Sequence, residues 1–266
     1  MSEETEPLET ARTRLDTLLV RRGFAASRAR ARRLVEAGAV HVDGRQATKA
    51  GRTVRDGAEL MVTEPDIPYV SRAGLKLEAA LDRFELDPAG ARVLDVGAST
   101  GGFTDLLLQR GAREAVTVDV GTDQLHPRLR SDPRVRCLEG TDIREADRAL
   151  LDAPFSWLVA DLSFLSLGAV LPALRGLVEM DAVVAVLVKP QFEVGRGKVS
   201  RGGVVRDSSL REGALERVRG EAARSGFRSG AAFEVPLPGE SGNREYFLRL
   251  HPVAAPEAKT PRREGN

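Results

Sequence analysis

The sequence predicts an α/β protein, a Rossmann-like doubly wound sheet preceded by a small α+β domain. From residue 93 onward, short β-rich runs alternate with helical stretches. This alternation is typical of a parallel sheet covered by helices on both faces. Before residue 63, two short helical patterns precede a small β element. A chain of 266 residues has room for both domains.

Composition excludes several classes of protein. Charged residues make up 30% of the chain and hydrophobic residues 42%, as in ordinary globular proteins. A single cysteine, Cys137, rules out a disulfide framework or a cysteine-rich zinc site, and we expect no metal. The longest apolar run, 182–188, is too short to cross a bilayer, and the acidic start is unlike a signal peptide. We therefore expect a cytoplasmic protein with disordered tails over 1–12 and 255–266, no membrane contact and no evident protein partner.

The first domain is expected over residues 13–63, followed by a linker with two prolines over 64–70. Helices are predicted from Leu15 to Arg22 and from Ser27 to Gly38, where glycines end both patterns. The alternating run after the second helix leads into Asp43-Gly44, a hairpin-type turn.

This domain is strongly basic. Residues 12–62 hold 12 arginines and lysines against 5 acidic residues, a net charge of +7. Basic side chains surround the apolar arc of the second helix with no acidic residue among them: Arg28, Arg30, Arg32 and Arg33. Because a merely solvated helix usually mixes both signs of charge, this pattern favours contact with a nucleic acid.

The larger domain is expected over 71–254, beginning with a helix over 71–84. Strands are predicted at 92–96, 115–120, 135–138, 156–160 and 182–188, with a late antiparallel pair at 231–235 and 246–250. Further helices are predicted at 103–110, 167–177 and 208–225.

The sharpest motif is VLDVGASTGGFTD, from Val93 to Asp105. An apolar strand leads into glycines that open a helix, and such a turn lets a ligand approach the backbone at the carboxyl end of the strand. Asp119, at the end of the next predicted strand, is placed to accept hydrogen bonds from the ribose of a nucleoside cofactor. This set resembles the S-adenosylmethionine site of Rossmann-like methyltransferases, in which the residue corresponding to Asp142 often contacts adenine. The candidate cofactor-binding residues are Asp95, Gly97, Ser99, Thr100, Gly101, Gly102, Phe103, Asp119 and Asp142.

Two other interpretations of this motif stay open. Gly97 to Gly101 also fits G-x-S-x-G, the nucleophile elbow of serine hydrolases, with Ser99 as the nucleophile. His251 is the candidate base, because it follows the nucleophile in the chain order that these hydrolases have. The oxyanion-hole sequence expected earlier in the chain is missing. A glycine-rich turn without any ligand is the second alternative.

A dispersed set of charged residues follows predicted strands or lies before them. Only five of the 40 basic residues are lysines, so Lys189, directly after seven apolar residues, stands out. Unlike arginine, a buried lysine can lose its proton. Asp161 follows another strand, Glu245 opens the last one, and Lys76 lies on the helix before the sheet.

Two resemblances cover nearly the whole chain. The stretch RLDTLLVRRGFAASRARARRLVEAGAVHVDGR resembles the S4-like RNA-binding module. The strings VSRAGLKLEAAL, DLSFLSL, VLVKPQFEVGRGKV, GGVVRD and GNREYFL, together with the glycine motif, resemble the TlyA (hemolysin A) family of rRNA 2′-O-methyltransferases, related to the FtsJ-like group. Ser99 stands where many methyltransferases have glycine.

The resemblance implies a function and a catalytic set. It implies transfer of a methyl group from S-adenosylmethionine to a ribose 2′-hydroxyl of cytidine in small- or large-subunit rRNA, with ribosomal RNA or ribosomal subunits as the partner. It also implies a Lys-Asp-Lys-Glu tetrad at Lys76, Asp161, Lys189 and Glu245. Further RNA contacts are expected at the start of the first helix of the sheet domain and in the glycine-rich basic loop after the second lysine, at Arg72, Arg196, Lys198 and Arg201.

The chemistry accounts for the residue types. A 2′-hydroxyl is a poor nucleophile until its proton is removed, and a lysine can accept that proton only when neutral. We expect Lys189 to be the base and Lys76 to be the cation that lowers the pKa of Lys189. The sequence does not settle which of the two lysines takes the proton. A non-catalytic RNA-binding assembly factor is an alternative. A membrane-lysing protein is disfavoured because no amphipathic lytic helix is present.

Overall fold

The computed structural model describes residues 12–254 except 26, 37, 64–67, 196, 198, 201 and 240–241, and at 29, 30 and 33 only the backbone. The chain divides into two compact units. The first unit ends at Pro68, and the second begins at Tyr69. The predicted tails lie outside the described residues, apart from Arg12, which is in a strand. None of the described helices is long and apolar enough to span a membrane.

The first unit is a small α+β domain. Its elements are β1 (Arg12–Arg14), α1 (Leu15–Arg21), α2 (Arg28–Glu36), β2 (Val40–Val42), β3 (Arg45–Gln46), β4 (Thr53–Arg55) and β5 (Leu60–Val62). β1 pairs with β4, and β2 lies between β3 and β5. Asp43 and Gly44 both have positive φ, at 51° and 73°, as the predicted hairpin turn requires. Leu15, Leu18 and Leu34 pack in a core between the helices and strands.

The second unit contains a seven-stranded sheet in the order β11-β12-β10-β9-β6-β7-β8. Its strands are β6 (Arg92–Val96), β7 (Glu114–Val118), β8 (Val135–Leu138), β9 (Phe155–Ala160), β10 (Val178–Val188), β11 (Phe227–Glu234) and β12 (Tyr246–Pro252). The strands from β10 to β8 are parallel, whereas β12 is antiparallel to β10 and to β11. The predicted doubly wound sheet with a late antiparallel pair is therefore confirmed.

Helices cover both faces of this sheet. They are α3 (Ala73–Phe84), α4 (Gly102–Gln109), α5 (Pro127–Arg130), α6 (Arg148–Leu151), α7 (Leu171–Leu177), α8 (Pro190–Glu193) and α9 (Ser208–Arg224), with a 3-10 turn at Leu167–Ala169. Leu77 of α3 and Leu106 of α4 are buried against one face, whereas Leu174 of α7 and Val218 of α9 are buried against the other. Each face thus has its own hydrophobic core.

Several boundaries differ from the sequence prediction, including the following three. The helix predicted over 167–177 is two pieces, because Pro172 lacks the N–H of a helix interior and lies in the first turn of α7. Strand β7 ends at Val118, so Asp119 is in the following loop. Tyr69, assigned to the linker from sequence, belongs to the second unit, where its hydroxyl donates to Glu78 at 2.7 Å.

Candidate active site

Sheet topology brings four dispersed charged residues to one edge. Asp161 directly follows β9 and Lys189 directly follows β10, the parallel strand beside it. Glu245 directly precedes β12, and because Tyr246 pairs with Val188 in an antiparallel ladder, Glu245 lies at the carboxyl end of β10. The carboxyl edge of a doubly wound sheet is where ligands bind.

The four residues form two ion pairs. Lys76 Nζ, on α3, lies 2.7 Å from Glu245 Oε2. Lys189 Nζ lies 2.6 Å from Asp161 Oδ1 and donates to Ser163 Oγ at 3.0 Å. Each lysine side chain is 12% exposed and that of Glu245 only 2%, so solvent screens these pairs weakly. Each lysine is therefore held beside a carboxylate.

Two residues that sequence reasoning left unassigned shape the surroundings of Glu245. A Cβ at Gly239 would collide with the Glu245 carboxylate. The buried Asn243 side chain accepts from the Val205 N–H at 2.9 Å and donates to the Gly203 carbonyl at 2.8 Å. Asn243 thus fastens the end of the glycine-rich loop to the segment that carries Glu245. The string GNREYFL contained Asn243, but its partners lie about 40 residues away in sequence.

The loop after β6 meets the loop after β9 at Gly97. This residue has a φ of 79°, and a Cβ there would lie 2.5 Å from the Asp161 carbonyl oxygen. Glycine is therefore required by the approach of the protein's own backbone. Gly101 and Gly102 are constrained in the same way, because their missing Cβ atoms leave room for Leu129 and for Ser71.

Asp95 is fully buried below this turn. One carboxylate oxygen accepts from the Thr104 N–H at 3.1 Å and from its hydroxyl at 2.6 Å. The other is buried and has no hydrogen-bond partner among the described residues. Burial, reinforced by the charges of Asp161 and Asp119, raises the pKa of Asp95 to about 7. Three carboxylates thus surround one turn, which favours a cationic ligand over an empty glycine-rich turn.

Asp119 organises the neighbouring loop. Its carboxylate accepts from the Ser99 N–H at 2.8 Å and from the Gly121 N–H at 2.7 Å. Each oxygen still has a lone pair for a ligand hydroxyl. Val120 beside it is 65% exposed, an apolar side chain that sequence reasoning did not single out. Gln124, also missed, accepts from the Ser99 hydroxyl at 3.1 Å.

The remaining cofactor candidates have other partners. The Phe103 ring is buried 5.8 Å from the ring of Phe247, so its side chain is unavailable to a ligand. The Thr100 carbonyl accepts from the His126 N–H. Asp142 pairs with Arg144, which holds the pKa of this carboxyl down at about 2. The structure thus brings Asp95 and Asp119 to the turn, and it leaves the Asp142 carboxylate occupied by an arginine.

The hydrolase alternative is geometrically excluded. His251 lies five residues along β12 from Tyr246, which marks the carboxyl edge. At about 3.3 Å per residue, it is roughly 16 Å from that edge. It cannot serve as a base for Ser99, whose hydroxyl donates to Gln124 instead.

An aromatic cavity lies beside Lys189. It has a volume of about 600 Å³ and is lined by Phe164, Gln191, Phe192, Gly195, Gly197 and Val199. Phe164 is 89% exposed and has a φ of 69°, and its ring centroid is 5.5 Å from that of Phe192. A large residue rarely adopts positive φ, and such strain is concentrated at functional sites. The strings DLSFLSL and VLVKPQFEVGRGKV contained both rings, but only the fold brings them together.

The first unit has a cluster of arginines arranged around one carboxylate. Asp16 is fully buried, and its Oδ2 lies 3.0 Å from Arg14 Nη2, 3.0 Å from Arg28 Nη2 and 3.4 Å from Arg32 Nε. The three arginine side chains remain about half exposed. The pKa of Asp16 is strongly lowered, above all by its hydrogen bond from Arg14. This cluster therefore presents three fixed guanidinium groups to solvent.

The other predicted RNA contacts are only partly within the structure. Arg72 immediately precedes α3, the helix that carries Lys76. Several candidates lie outside the described side chains: Arg30, Arg33, Arg196, Lys198 and Arg201.

Comparisons with known proteins agree on two domain families. The family model "FtsJ-like methyltransferase" matches residues 69–251, and the "S4 domain" model matches residues 13–60. The chain is 49% identical over 240 residues to "16S/23S rRNA (cytidine-2'-O)-methyltransferase TlyA" of Mycobacterium tuberculosis, which covers 90% of each chain. It is 37% identical to "Hemolysin A" of Brachyspira hyodysenteriae over 89% of this chain and 99% of that one. A solved structure described as a hemolysin from Streptococcus thermophilus is similar with a TM-score of 0.72 and 40% identity, covering 94% of this chain and 92% of that one.

Proposed function

The chain belongs to the FtsJ-like methyltransferase family, to its TlyA members with an S4 domain, and on this basis we propose that it methylates the ribose 2′-hydroxyl of a cytidine in ribosomal RNA, in the cytoplasm. The observation that carries the proposal is the pair of lysine–carboxylate contacts at the carboxyl edge of the sheet. A factor that only bound RNA would not need two weakly exposed lysines held there.

The residues around Gly97 fit S-adenosylmethionine. When bound, this cofactor supplies an activated methyl group, and it carries positive charge on its sulfonium and amino groups. Asp95, Asp119 and Asp161 offer three carboxylates, and one oxygen of Asp95 is buried without a hydrogen-bond partner among the described residues. In our proposal, Asp119 binds the ribose hydroxyls of the cofactor and the exposed Val120 contacts its adenine.

Lys189 is the proposed general base. When neutral, its Nζ takes the proton from the substrate 2′-hydroxyl, and Asp161, 2.6 Å away, orients the amine and stabilises its protonated form afterwards. Lys76 contributes positive charge near the developing oxyanion, while Glu245 holds it in place at 2.7 Å.

The arginine cluster of the first unit supports an RNA substrate. Half-exposed guanidinium groups held by Asp16 suit the phosphates of an RNA backbone, which they contact without reading sequence. The first unit would thus supply affinity, and the second unit the chemistry.

Two measurements test the proposal. Purified protein is mixed with tritium-labelled S-adenosylmethionine and with ribosomal subunits from a strain that lacks the gene, and ribose methylation is then mapped in the recovered rRNA. We expect label on a ribose 2′-oxygen, and none with a Lys189→Met variant that still binds the cofactor in calorimetry. Cofactor binding without any label in rRNA would overturn the assignment of the substrate. Failure to bind the cofactor would overturn the assignment of the enzyme class.

A further inference from the structure

Two contacts of Lys189 differ in character. Asp161 Oδ1 lies 2.6 Å from Lys189 Nζ and attracts the amine by its charge. This oxygen has no hydrogen-bond partner among the described residues, so the ion pair lacks the geometry of a hydrogen bond. Ser163 Oγ, 3.0 Å from the same nitrogen, does accept a hydrogen bond from it. Of these two contacts, the one that fixes a direction is therefore that with Ser163.

The loop that carries Ser163 is fastened at both ends. At its start, the Asp161 N–H donates to the Val96 carbonyl at 2.9 Å. At its end, the Ser166 hydroxyl donates at 2.7 Å to the buried carboxylate of Glu193. Glu193 lies in α8, the helix that directly follows the proposed base. The exposed serine is thus presented to the amine from a loop whose two ends are held.

A general base needs its lone pair in a defined direction. A protonated lysine carries three N–H groups, whereas the neutral amine carries two and one lone pair. Rotation about the Cε–Nζ bond can place this lone pair in three staggered positions. A hydroxyl that accepts an N–H occupies one position, and the negative oxygen of Asp161 disfavours the lone pair in a second. The two contacts together therefore favour a single direction for the lone pair.

We propose that Ser163 is a positioning residue for Lys189, and that its hydroxyl directs the lone pair of the neutral amine toward the substrate 2′-hydroxyl. This inference rests on the proposed function, and it adds a neutral side chain to the four charged ones. The proton passes from the 2′-oxygen to Lys189 Nζ while that oxygen takes the methyl group. Ser163 keeps its own proton throughout the step. Its hydroxyl accepts from the amine before the transfer and from the ammonium afterwards.

The test is single-turnover methyl transfer to ribosomal subunits at saturating cofactor, measured across a range of pH. Ser163→Ala should lower the maximal rate by about tenfold, because the lone pair loses its direction. The rise of the rate with pH should also move to lower pH by about 0.5–1 unit, because the ammonium loses an acceptor that stabilised it. Cofactor affinity in calorimetry should not change. A merely structural role would lower the rate without moving the pH profile.

Two further variants separate orientation from damage to the loop. Ser163→Thr keeps the hydroxyl and should restore both the rate and the pH profile to near wild type. Ser166→Ala makes the same change three residues later, where the hydroxyl donates to Glu193 rather than to the lysine. We expect this control to keep the wild-type pH profile and to lose less than about threefold in rate.

The outcomes distinguish this inference from the proposed function. An unmoved pH profile in Ser163→Ala, no recovery in Ser163→Thr, or an equal shift in Ser166→Ala would each overturn the role of Ser163 while the methyltransferase assignment stands. Absence of methyl transfer by the wild-type protein would overturn the proposed function itself.

Discussion

Replacement of Lys189 by arginine separates the two roles that a lysine can have at this site. Arginine keeps the positive charge and can keep the ion pair with Asp161, which is 2.6 Å from Lys189 Nζ. It cannot become neutral in a protein, so it cannot accept a proton. If Lys189 only stabilises negative charge, the substitution should be mild. If Lys189 is the general base, its replacement by arginine should nearly abolish the chemical step.

The size of the loss follows from the proposed step. A positioned general base contributes about 10²- to 10⁴-fold to a rate, which corresponds to about 3–5 kcal/mol in the barrier. Lys76→Arg is a matched control, since that lysine is also 12% exposed and also paired with a carboxylate, at 2.7 Å. Because the role proposed for Lys76 is to supply positive charge, which arginine also supplies, we expect its arginine variant to lose less than about tenfold.

The assay is single-turnover methyl transfer to ribosomal subunits at saturating cofactor, measured across a range of pH. In wild-type protein the rate should rise with pH as Lys189 loses its proton, and this rise should be absent in Lys189→Arg. Calorimetry must show near-normal cofactor affinity in both variants. A Lys189→Arg protein near the wild-type rate would refute the base assignment and transfer it to Lys76. Equal, large losses in both variants would mean that side-chain geometry, rather than proton transfer, explains why lysine is required at both positions.

Three further predictions follow from individual carboxylates. Asp119→Ala should weaken cofactor binding by about 1–3 kcal/mol because the ribose hydroxyls lose their acceptor; unchanged calorimetric affinity would contradict this. Folding favours the protonated form of Asp95, because burial raises its pKa to about 7 from an ordinary value of 3.8, so the contribution of Asp95 to stability falls as pH rises from about 4 to 7. Asp95→Asn should remove that loss and raise the free energy of unfolding at pH 8 by up to about 4 kcal/mol, with little gain near pH 4; the chain's single tryptophan, Trp157, is buried in this unit and reports its urea unfolding. Asp16→Asn removes a negative charge, yet it should weaken RNA binding in anisotropy titrations, because three arginines lose the carboxylate that holds them. Tighter binding by this variant would show that net charge alone determines RNA affinity.

Much of the fold could be predicted because its signals are local. The apolar run before Lys189 predicted a buried strand, and the lysine itself marked the carboxyl end. The Asp43-Gly44 turn was predicted from residue types that tolerate positive φ, and it is observed. The start of β10 at Val178 was not predicted, since the strand begins in a polar stretch before a shift in register with β9.

The candidate site was less predictable because its contacts are long-range. Periodicity placed Arg28 and Arg32 on a polar face, but nothing local indicated that Asp16 would hold them. The glycines of the cofactor motif were interpreted as room for a ligand, whereas the missing Cβ atom of Gly101 accommodates Leu129 of the protein itself. The buried oxygen of Asp95 that has no hydrogen-bond partner among the described residues depends on three-dimensional surroundings and has no signature in sequence.

Asp161 connects the two halves of the site. Its carbonyl oxygen lies against Gly97, its charge contributes to the raised pKa of Asp95, and its carboxylate holds Lys189. A cationic cofactor at the turn would attract the same carboxylate that orients the proposed base. In the proposed mechanism, cofactor binding and the orientation of Lys189 would therefore be coupled through the Asp161 side chain.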